Sequence, residues 1–258
     1  MNKDTLRQVL IVLAVIAVIV INILANALPL NGLNTGEISD RFDIYFVPAG
    51  YVFSIWGLIY LGLLAYAIFQ ALPSQKENPR LRSIGLPFIL SCLTNITWLF
   101  LWHYEVFLFT LAAMLAILLS LIVIYLRLDI GRAQVSRGEL WSVHIPFSIY
   151  LGWITVATIA NATQFLYYLG WNGWGVSPEA WAVIMLAAGV IISAAMSLRH
   201  ADIAFSLVLV WAYIGIAQEH ASAPTVATSA WVGAGVILVI LVVGVIGKYQ
   251  RGKPLIGT

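Results

Sequence analysis

Long apolar runs alternate with short polar connections along almost the whole chain. A helical run of about 20 apolar residues matches the thickness of the hydrocarbon core of a bilayer. This pattern predicts an all-α fold, a polytopic integral membrane helix bundle with about eight transmembrane helices. The seventh run is the shortest, and its length is typical of a re-entrant or strongly packed segment. The runs cover approximately residues 6–28, 51–72, 84–102, 107–126, 141–168, 180–197, 203–217 and 230–247.

If successive apolar runs cross a membrane in alternating directions, the polar connections on one side are rich in lysine and arginine and those on the other side are not. With the N-terminus on the cytoplasmic side, every lysine and arginine except Arg41 falls on that side. Because loops rich in Lys and Arg stay in the cytoplasm, we expect both termini to be cytoplasmic. The first run is longer than the apolar core of a signal peptide, so we expect an uncleaved helix. The expected location is the bacterial inner (plasma) membrane.

Composition strengthens the membrane interpretation and excludes other classes of function. The 258 residues are 62% hydrophobic and 9% charged, whereas soluble domains carry about 25% charged residues. A net charge of +2, without a basic patch interleaved with aromatics, argues against a nucleic-acid partner. Cys92 is the only cysteine, which leaves no intrachain disulfide and no cysteine metal cluster. No two of the four histidines share a span, so no metal site is predicted.

Four of the predicted helices carry polar and aromatic residues at spacings of three and four, which places them on one helix face. Amides in a membrane need hydrogen-bond partners, so these faces should point into the bundle. Two interpretations stay open, namely hydrogen bonds between helices or the wall of a cavity. Tryptophan keeps helices apart, and a small alanine between large residues leaves space, which favours a cavity. The candidate ligand-binding residues are Asn22, Phe53, Trp56, Tyr60, Asn95, Trp98, Tyr150, Trp153, Ala157, Asn161 and Gln164.

The connection after the first run, residues 29–50, is long and lies on the side opposite the basic loops. Long loops without secondary structure of their own often act as lids. This loop ends directly before the aromatic start of the second helix. We therefore predict that it covers the cavity, with Pro48, Gly50 and Tyr51 as the hinge. A belt of interfacial aromatic side chains is the alternative explanation for the tryptophans on this side.

Three stretches on three different predicted helices carry motifs in a defined order. Residues 48–60 read P-A-G-Y-V-F-S-I-W-G-L-I-Y, residues 95–98 read N-I-T-W, and residues 150–161 read Y-L-G-W-I-T-V-A-T-I-A-N. They resemble P-P-G-W-V-F-x-P-V-W-x-x-L-Y, N-x-x-W-x-x-x-F and P-Y-L-x-W-x-x-F-A-x-x-L-N of the TspO/MBR family (tryptophan-rich sensory protein, or translocator protein). The resemblance implies a five-helix transmembrane core at residues 1–170. Residues 171–258 would then be an additional three-helix transmembrane extension.

The resemblance also implies a function, a membrane receptor or sensor for a flat hydrophobic ligand such as a tetrapyrrole (porphyrin). Binding by stacking and amide hydrogen bonds requires no metal or redox cofactor, although a bound porphyrin would fit. The spans hold no general acid, base or activated nucleophile, so no catalytic residue is nominated. Two alternatives stay open, a permease for a small or lipophilic solute and a porphyrin photo-oxidising enzyme.

The expected partners are the lipid bilayer and a hydrophobic small-molecule ligand. The three extra helices would cover a face that five-helix relatives use to pair. A monomer is therefore expected, with a homodimer as the alternative.

Overall fold

Residues 2–28 and 30–250 are described in the computed structural model, and every long element in them is an α-helix. This confirms the predicted all-α, polytopic membrane helix bundle. Among the predicted loop and terminal positions, Pro29, Arg251 and Lys253 lie outside the described residues. The helices are α1 (Lys3–Ala27), α2 (Thr35–Ser39), α3 (Ile55–Ala71), α4 (Pro79–His103), α5 (Phe107–Leu128), α6 (Arg137–Glu139), α7 (Ile145–Tyr168), α8 (Pro178–His200), α9 (Ile203–Glu219) and α10 (Pro224–Gln250).

Seven of the described helical segments are long and apolar enough to cross a membrane. The eighth, α9, has 17 residues and is about 25 Å long. At its start, the Asp202 carboxylate accepts hydrogen bonds from Tyr125 at 2.9 Å and Ser148 at 2.7 Å, near the end of α5 and the start of α7. Near its other end, the backbone N–H of Ala49, just before α3, donates to the carbonyl oxygen of Gly215 at 3.2 Å. Because these contacts lie at opposite ends of the bundle, α9 crosses it as well.

Several of the helices begin where a polar side chain accepts a free N–H group of the first turn. Asn78 accepts from the backbone N–H of Arg80 at 3.0 Å at the start of α4. Ser177 accepts from that of Ala180 at 3.3 Å at the start of α8. A proline, which lacks an N–H group, follows each cap. The polar first turn explains why α4 begins before the apolar run that starts at residue 84.

Helices α7 and α9 lie at the centre of the bundle and are buried on most of their faces. α7 packs against α3, α5 and α9, whereas α9 packs against α7, α8 and α10. Gly152 lets the two central helices approach closely, because a Cβ there would lie 3.1 Å from the carbonyl oxygen of Phe205. The contact between α7 and α9 therefore forms the main interface between the first five long helices and the last three.

Ion pairs connect the helices at the end of the bundle that carries α6, which we call the basic end. Arg80 donates two hydrogen bonds to Glu139, at 2.6 and 2.8 Å. Arg82 donates two to Asp4, at 2.7 and 2.6 Å. All described lysines and arginines except Arg41 belong to helix ends or connections on this side. The opposite end carries residues 30–54, which we call the first loop, and we call it the loop end.

Candidate functional site

The first half of the first loop is docked on the end of α4. It contains α2, which begins with a capping box between Asn34 and Glu37. The indole N–H of Trp102 donates to the carbonyl oxygen of Thr35 at 3.2 Å. His103 donates from Nδ1 to a loop carbonyl at 3.2 Å, so its Nε2 is free to accept from the Thr35 hydroxyl at 3.1 Å. Both ring nitrogens therefore serve to fix the loop over the bundle.

The second half of the first loop is held by α9. The Nε2–H of His220 donates to the carbonyl oxygen of Val47 at 3.1 Å. Burial is the main cause that lowers the pKa of His220 below its usual value, so the ring is neutral at pH 7. The hydroxyl of Tyr51 donates to Gln218 at 2.7 Å, and its ring meets Trp211 edge-on at 5.3 Å. The predicted hinge thus lies between the bundle interior and α9, a contact that the sequence did not indicate.

A cavity of about 60 Å³ lies beneath the first loop. Its walls come from the loop and from α3, α4, α5 and α7. Of the predicted residues, Pro48, Phe53, Trp56, Asn95, Trp98, Trp153, Ala157, Asn161 and Gln164 line it.

A larger cleft of about 740 Å³ lies beside this cavity, between α1, the first loop, α3 and α4. The predicted residues Asn22, Gly50 and Tyr60 line the cleft only. Four residues line both spaces and therefore form the wall between them, namely Thr35, Phe53, Trp56 and Trp98.

Trp56 is the centre of the aromatic wall. Its ring stacks on that of Tyr60, with centroids 5.6 Å apart and planes 25° apart. It meets Tyr150 at 6.0 Å and Trp153 at 6.4 Å in edge-on contacts. Trp98, which also belongs to the wall between the two spaces, stacks on a neighbouring tryptophan of α4 at 5.3 Å. The shared wall therefore carries two stacked aromatic pairs.

The buried amides connect the helices around these spaces. Asn22 of α1 donates to the side-chain oxygen of Asn95 in α4 at 3.0 Å. Asn95 in turn donates to the hydroxyl of Tyr150 in α7 at 3.4 Å. This chain of hydrogen bonds joins three helices, so part of the polar stripe does hold helices together.

The amides of α7 have a second set of partners. Asn161 donates to the hydroxyl of Thr110 in α5 at 3.2 Å, and Gln164 donates to the hydroxyl of Ser39 in α2 at 3.2 Å. The bond of Gln164 ties the first loop to the bundle interior, directly above the cavity.

Three buried polar atoms at the cavity wall have no hydrogen-bond partner in the described part of the chain. They are the indole nitrogens Nε1 of Trp98 and Trp153, and the amide oxygen Oδ1 of Asn161. Trp153 is 3% exposed and Asn161 is 2% exposed. A buried polar atom without a partner is destabilising by about 1–3 kcal/mol, and native proteins contain few of them. Two donors and one acceptor therefore remain for a molecule in this space.

Two of the predicted residues stand outside the lining of both spaces. Tyr150 supports Trp56 and Asn95 from behind, and Tyr51 turns towards α9. Several lining residues were not nominated from the sequence. Met114 and Ile117 lie in a uniformly apolar run, and Thr35 and Ser39 lie in a loop, so periodicity could not single them out.

The fold is that of a polytopic integral membrane helix bundle, with a loop-covered aromatic cavity and an adjoining cleft as its candidate site. The chain belongs to the TSPO-like protein family, whose model matches residues 8–243. This confirms the family resemblance, and the matched range extends through α8 and α9 into α10. Comparisons with curated proteins and with solved structures produced no match. Membership of this family supports, in a general sense, a role as a membrane sensor or receptor.

Proposed function

We propose that this protein is a membrane receptor for a flat hydrophobic ligand of the tetrapyrrole type. The observation that carries the proposal is the set of unpartnered polar atoms of Trp98, Trp153 and Asn161 at an aromatic cavity wall. Two indole donors and one amide acceptor match the polar edge of a heteroaromatic ligand. The surrounding rings match its faces.

The volumes decide which space holds the body of the ligand. Sites for small molecules enclose about 300–1,000 Å³. The cavity of about 60 Å³ is far below this range, whereas the cleft of about 740 Å³ lies within it. The ligand body occupies the cleft, and its polar edge reaches the cavity between Phe53, Trp56 and Trp98.

The aromatic residues supply most of the affinity in this arrangement. Each stacked or edge-on aromatic pair contributes about 0.5–1.5 kcal/mol beyond the burial of its area. Trp56 and Tyr60 present a stacked pair to the cleft. Trp98 offers a second face together with an unpartnered donor.

The orientation in the membrane follows from the distribution of charge. The described basic residues cluster at the basic end, and cytoplasmic loops are rich in Lys and Arg. We therefore propose that the basic end faces the cytoplasm, in the bacterial inner membrane expected from the sequence. In this orientation the cleft lies near the outer surface.

Porphyrin titration of purified protein in detergent micelles tests the proposal. The probe is protoporphyrin IX dimethyl ester, followed by its absorption band against empty micelles. Ile23 lines the cleft, and Ile16 lies two turns earlier on the same helix. The two isoleucines are similarly exposed, at 54% and 50%. We expect saturable binding, weakened at least about tenfold by Ile23→Trp and unchanged by Ile16→Trp.

Equal affinity in both variants, or no saturable binding by the wild type, would contradict the proposal. A second variant, Ala157→Phe, fills the cavity without touching the cleft lining. Weaker binding in that variant is expected, because the polar edge of the ligand could no longer reach Asn161. Porphyrin flux through proteoliposomes, with binding intact, would favour the permease alternative.

A further inference from the structure

The charged residues that line the cleft are acidic. Glu37 and Asp40 of the first loop line it, and none of its described lining residues is Lys, Arg or His. Both carboxylates are exposed at the cleft mouth. An anionic group on a ligand would therefore meet charges of its own sign without a counter-charge.

The nearest cations are already engaged or distant. Arg41 of the first loop forms an ion pair with Glu105. His103 uses both of its ring nitrogens for hydrogen bonds to the loop. The other described lysines and arginines lie at the basic end, across helices of about 25 residues. That separation, about 37 Å, exceeds the Debye length of about 8–10 Å at physiological salt.

The backbone offers no free anion site at the start of α2 either. The N–H groups of Gly36 and Glu37 both donate to the side-chain oxygen of Asn34, each at 3.0 Å. The N–H of Asn34 itself donates to the Glu37 carboxylate at 2.7 Å. Among the described residues that line the cavity or the cleft, the buried side-chain donors without partners are the uncharged indole N–H groups of Trp98 and Trp153.

We infer that the ligand of this protein carries no free carboxylate or other anionic group where it meets the cleft. This inference rests on the proposed function and narrows its ligand class to neutral or cationic flat hydrophobes. Among tetrapyrroles, an ester or amide is selected over the free acid. A ligand carboxylate that enters the cleft passes the like charges of Glu37 and Asp40 and loses water inside, and both effects are unfavourable. An ester oxygen accepts from an indole N–H without those penalties.

A comparison of two probes on two proteins tests the inference. Protoporphyrin IX, which carries two carboxylates, is titrated beside its dimethyl ester at pH 7.5 and low salt. We expect the ester to bind wild-type protein about tenfold more tightly. The double variant Glu37→Gln, Asp40→Asn should bind the free acid several-fold more tightly and the ester unchanged. Glutamine keeps the acceptor that the capping box requires, so the fold of α2 is retained.

The control is Asp43→Asn, which removes one carboxylate charge from the first loop outside the cleft lining. It should leave the ratio of the two affinities as in the wild type. Equal affinities of acid and ester for wild-type protein would overturn the inference while leaving the proposed function intact. A preference for the ester that persists unchanged in the double variant would also overturn it, because Glu37 and Asp40 would not be its origin. Saturable binding of neither probe would instead refute the proposed function itself.

Discussion

The first five long helices and the last three are packed by different residues. Around the cavity, the contacts between α3, α4 and α7 involve indoles, phenols and amides. Among α8, α9 and α10, they involve glycines and serines. Small residues allow helix backbones in a membrane to approach closely, whereas large rings hold them apart.

The glycine contacts show how closely the last three helices approach. A Cβ on Gly244 of α10 would lie 2.2 Å from the carbonyl oxygen of Ser197 in α8. Cβ atoms on Gly189 and Gly233 would lie 2.3 and 2.8 Å from atoms of Tyr213 in α9. Tyr213 fills the space between them, and its hydroxyl donates to a carbonyl of α8 at 2.5 Å. The aromatic and amide contacts of α3, α4 and α7 surround a cavity, whereas the glycine contacts of α8, α9 and α10 are closely packed.

The largest expected effect is on the close contact between α8 and α10. Gly244→Ala should destabilise the protein by about 3 kcal/mol, because the new methyl group meets a backbone carbonyl that no rotamer change can move. Thermal unfolding in detergent measures the loss. Gly235→Ala on the same helix is the control, since nothing lies within 4 Å of its Cβ position. That variant should be slightly more stable, by about 0.5–1 kcal/mol, and equal stability of the two variants would refute the packing difference.

The second effect is on the amide chain of the first five helices. Asn95→Leu keeps the branching and the number of heavy atoms of the side chain but removes the acceptor for Asn22. We expect a loss of about 2 kcal/mol in the free energy of unfolding, since a buried donor loses its partner. Thr97→Val is the control on the same helix, because its hydroxyl bonds only within α4. An Asn95 variant as stable as the Thr97 variant would mean that the amides do not join these helices.

A smaller effect concerns the bond between the first loop and α7. Ser39→Ala leaves the amide of Gln164 without its partner in α2. The free energy of opening the loop should fall by about 1 kcal/mol. This corresponds to about fivefold faster amide hydrogen exchange in residues 35–40. The unfolding midpoint should stay nearly the same. Ser83→Ala at the basic end should leave this exchange unchanged. Equal exchange in both variants would show that the hydrogen bond between Gln164 and Ser39 does not hold the first loop.

The smallest effect is the pH dependence of the contact between the first loop and α9. Burial lowers the pKa of His220, although its bond to Val47 and the nearby carboxylates Glu219 and Asp43 act in the opposite direction. The open state therefore binds the proton more readily than the closed state. The contact should be intact above about pH 6.5 and weaken as the pH falls below that value.

Hydrogen exchange of the Ala49 amide, corrected for its intrinsic rate, measures this change between pH 7.5 and 5.5. The amide bonds Gly215 in the closed state. His220→Gln should remove the difference in opening between the two pH values. The same pH dependence in that variant would show that another group controls the loop.

Part of the site could be predicted from the sequence because it depends only on the spacing of residues within a single helix. The spacing of Trp56 and Tyr60 places both on one face of α3 whatever surrounds it. The stripe from Trp153 to Asn161 does the same for α7. Phe53, which was expected on the same helix face as Trp56, lies in the short 3-10 turn Gly50–Ser54 just before α3. These residues do line the two spaces. The division into residues 1–170 and 171–258 stays a prediction, and the family match extends across it.

Other parts of the site depend on neighbours that are distant in sequence. Met114 and Ile117 line the cavity only because α5 packs beside α7. Tyr51 turns to α9 because Gln218 and Trp211 lie there. No periodicity within the first loop or within α9 predicts the contact between Tyr51 and α9.

The sequence by itself determined the membrane bundle and the helix faces that turn inward. A helix in lipid satisfies its own backbone hydrogen bonds, and its polar side chains must face the other helices rather than the lipid. Tertiary structure alone decided which amides found partners. Asn95 is satisfied by two helices, whereas the oxygen of Asn161 and the nitrogen of Trp153 are not. The same residue types can hold helices together or line a cavity, and the distance between the packed helices decides between the two.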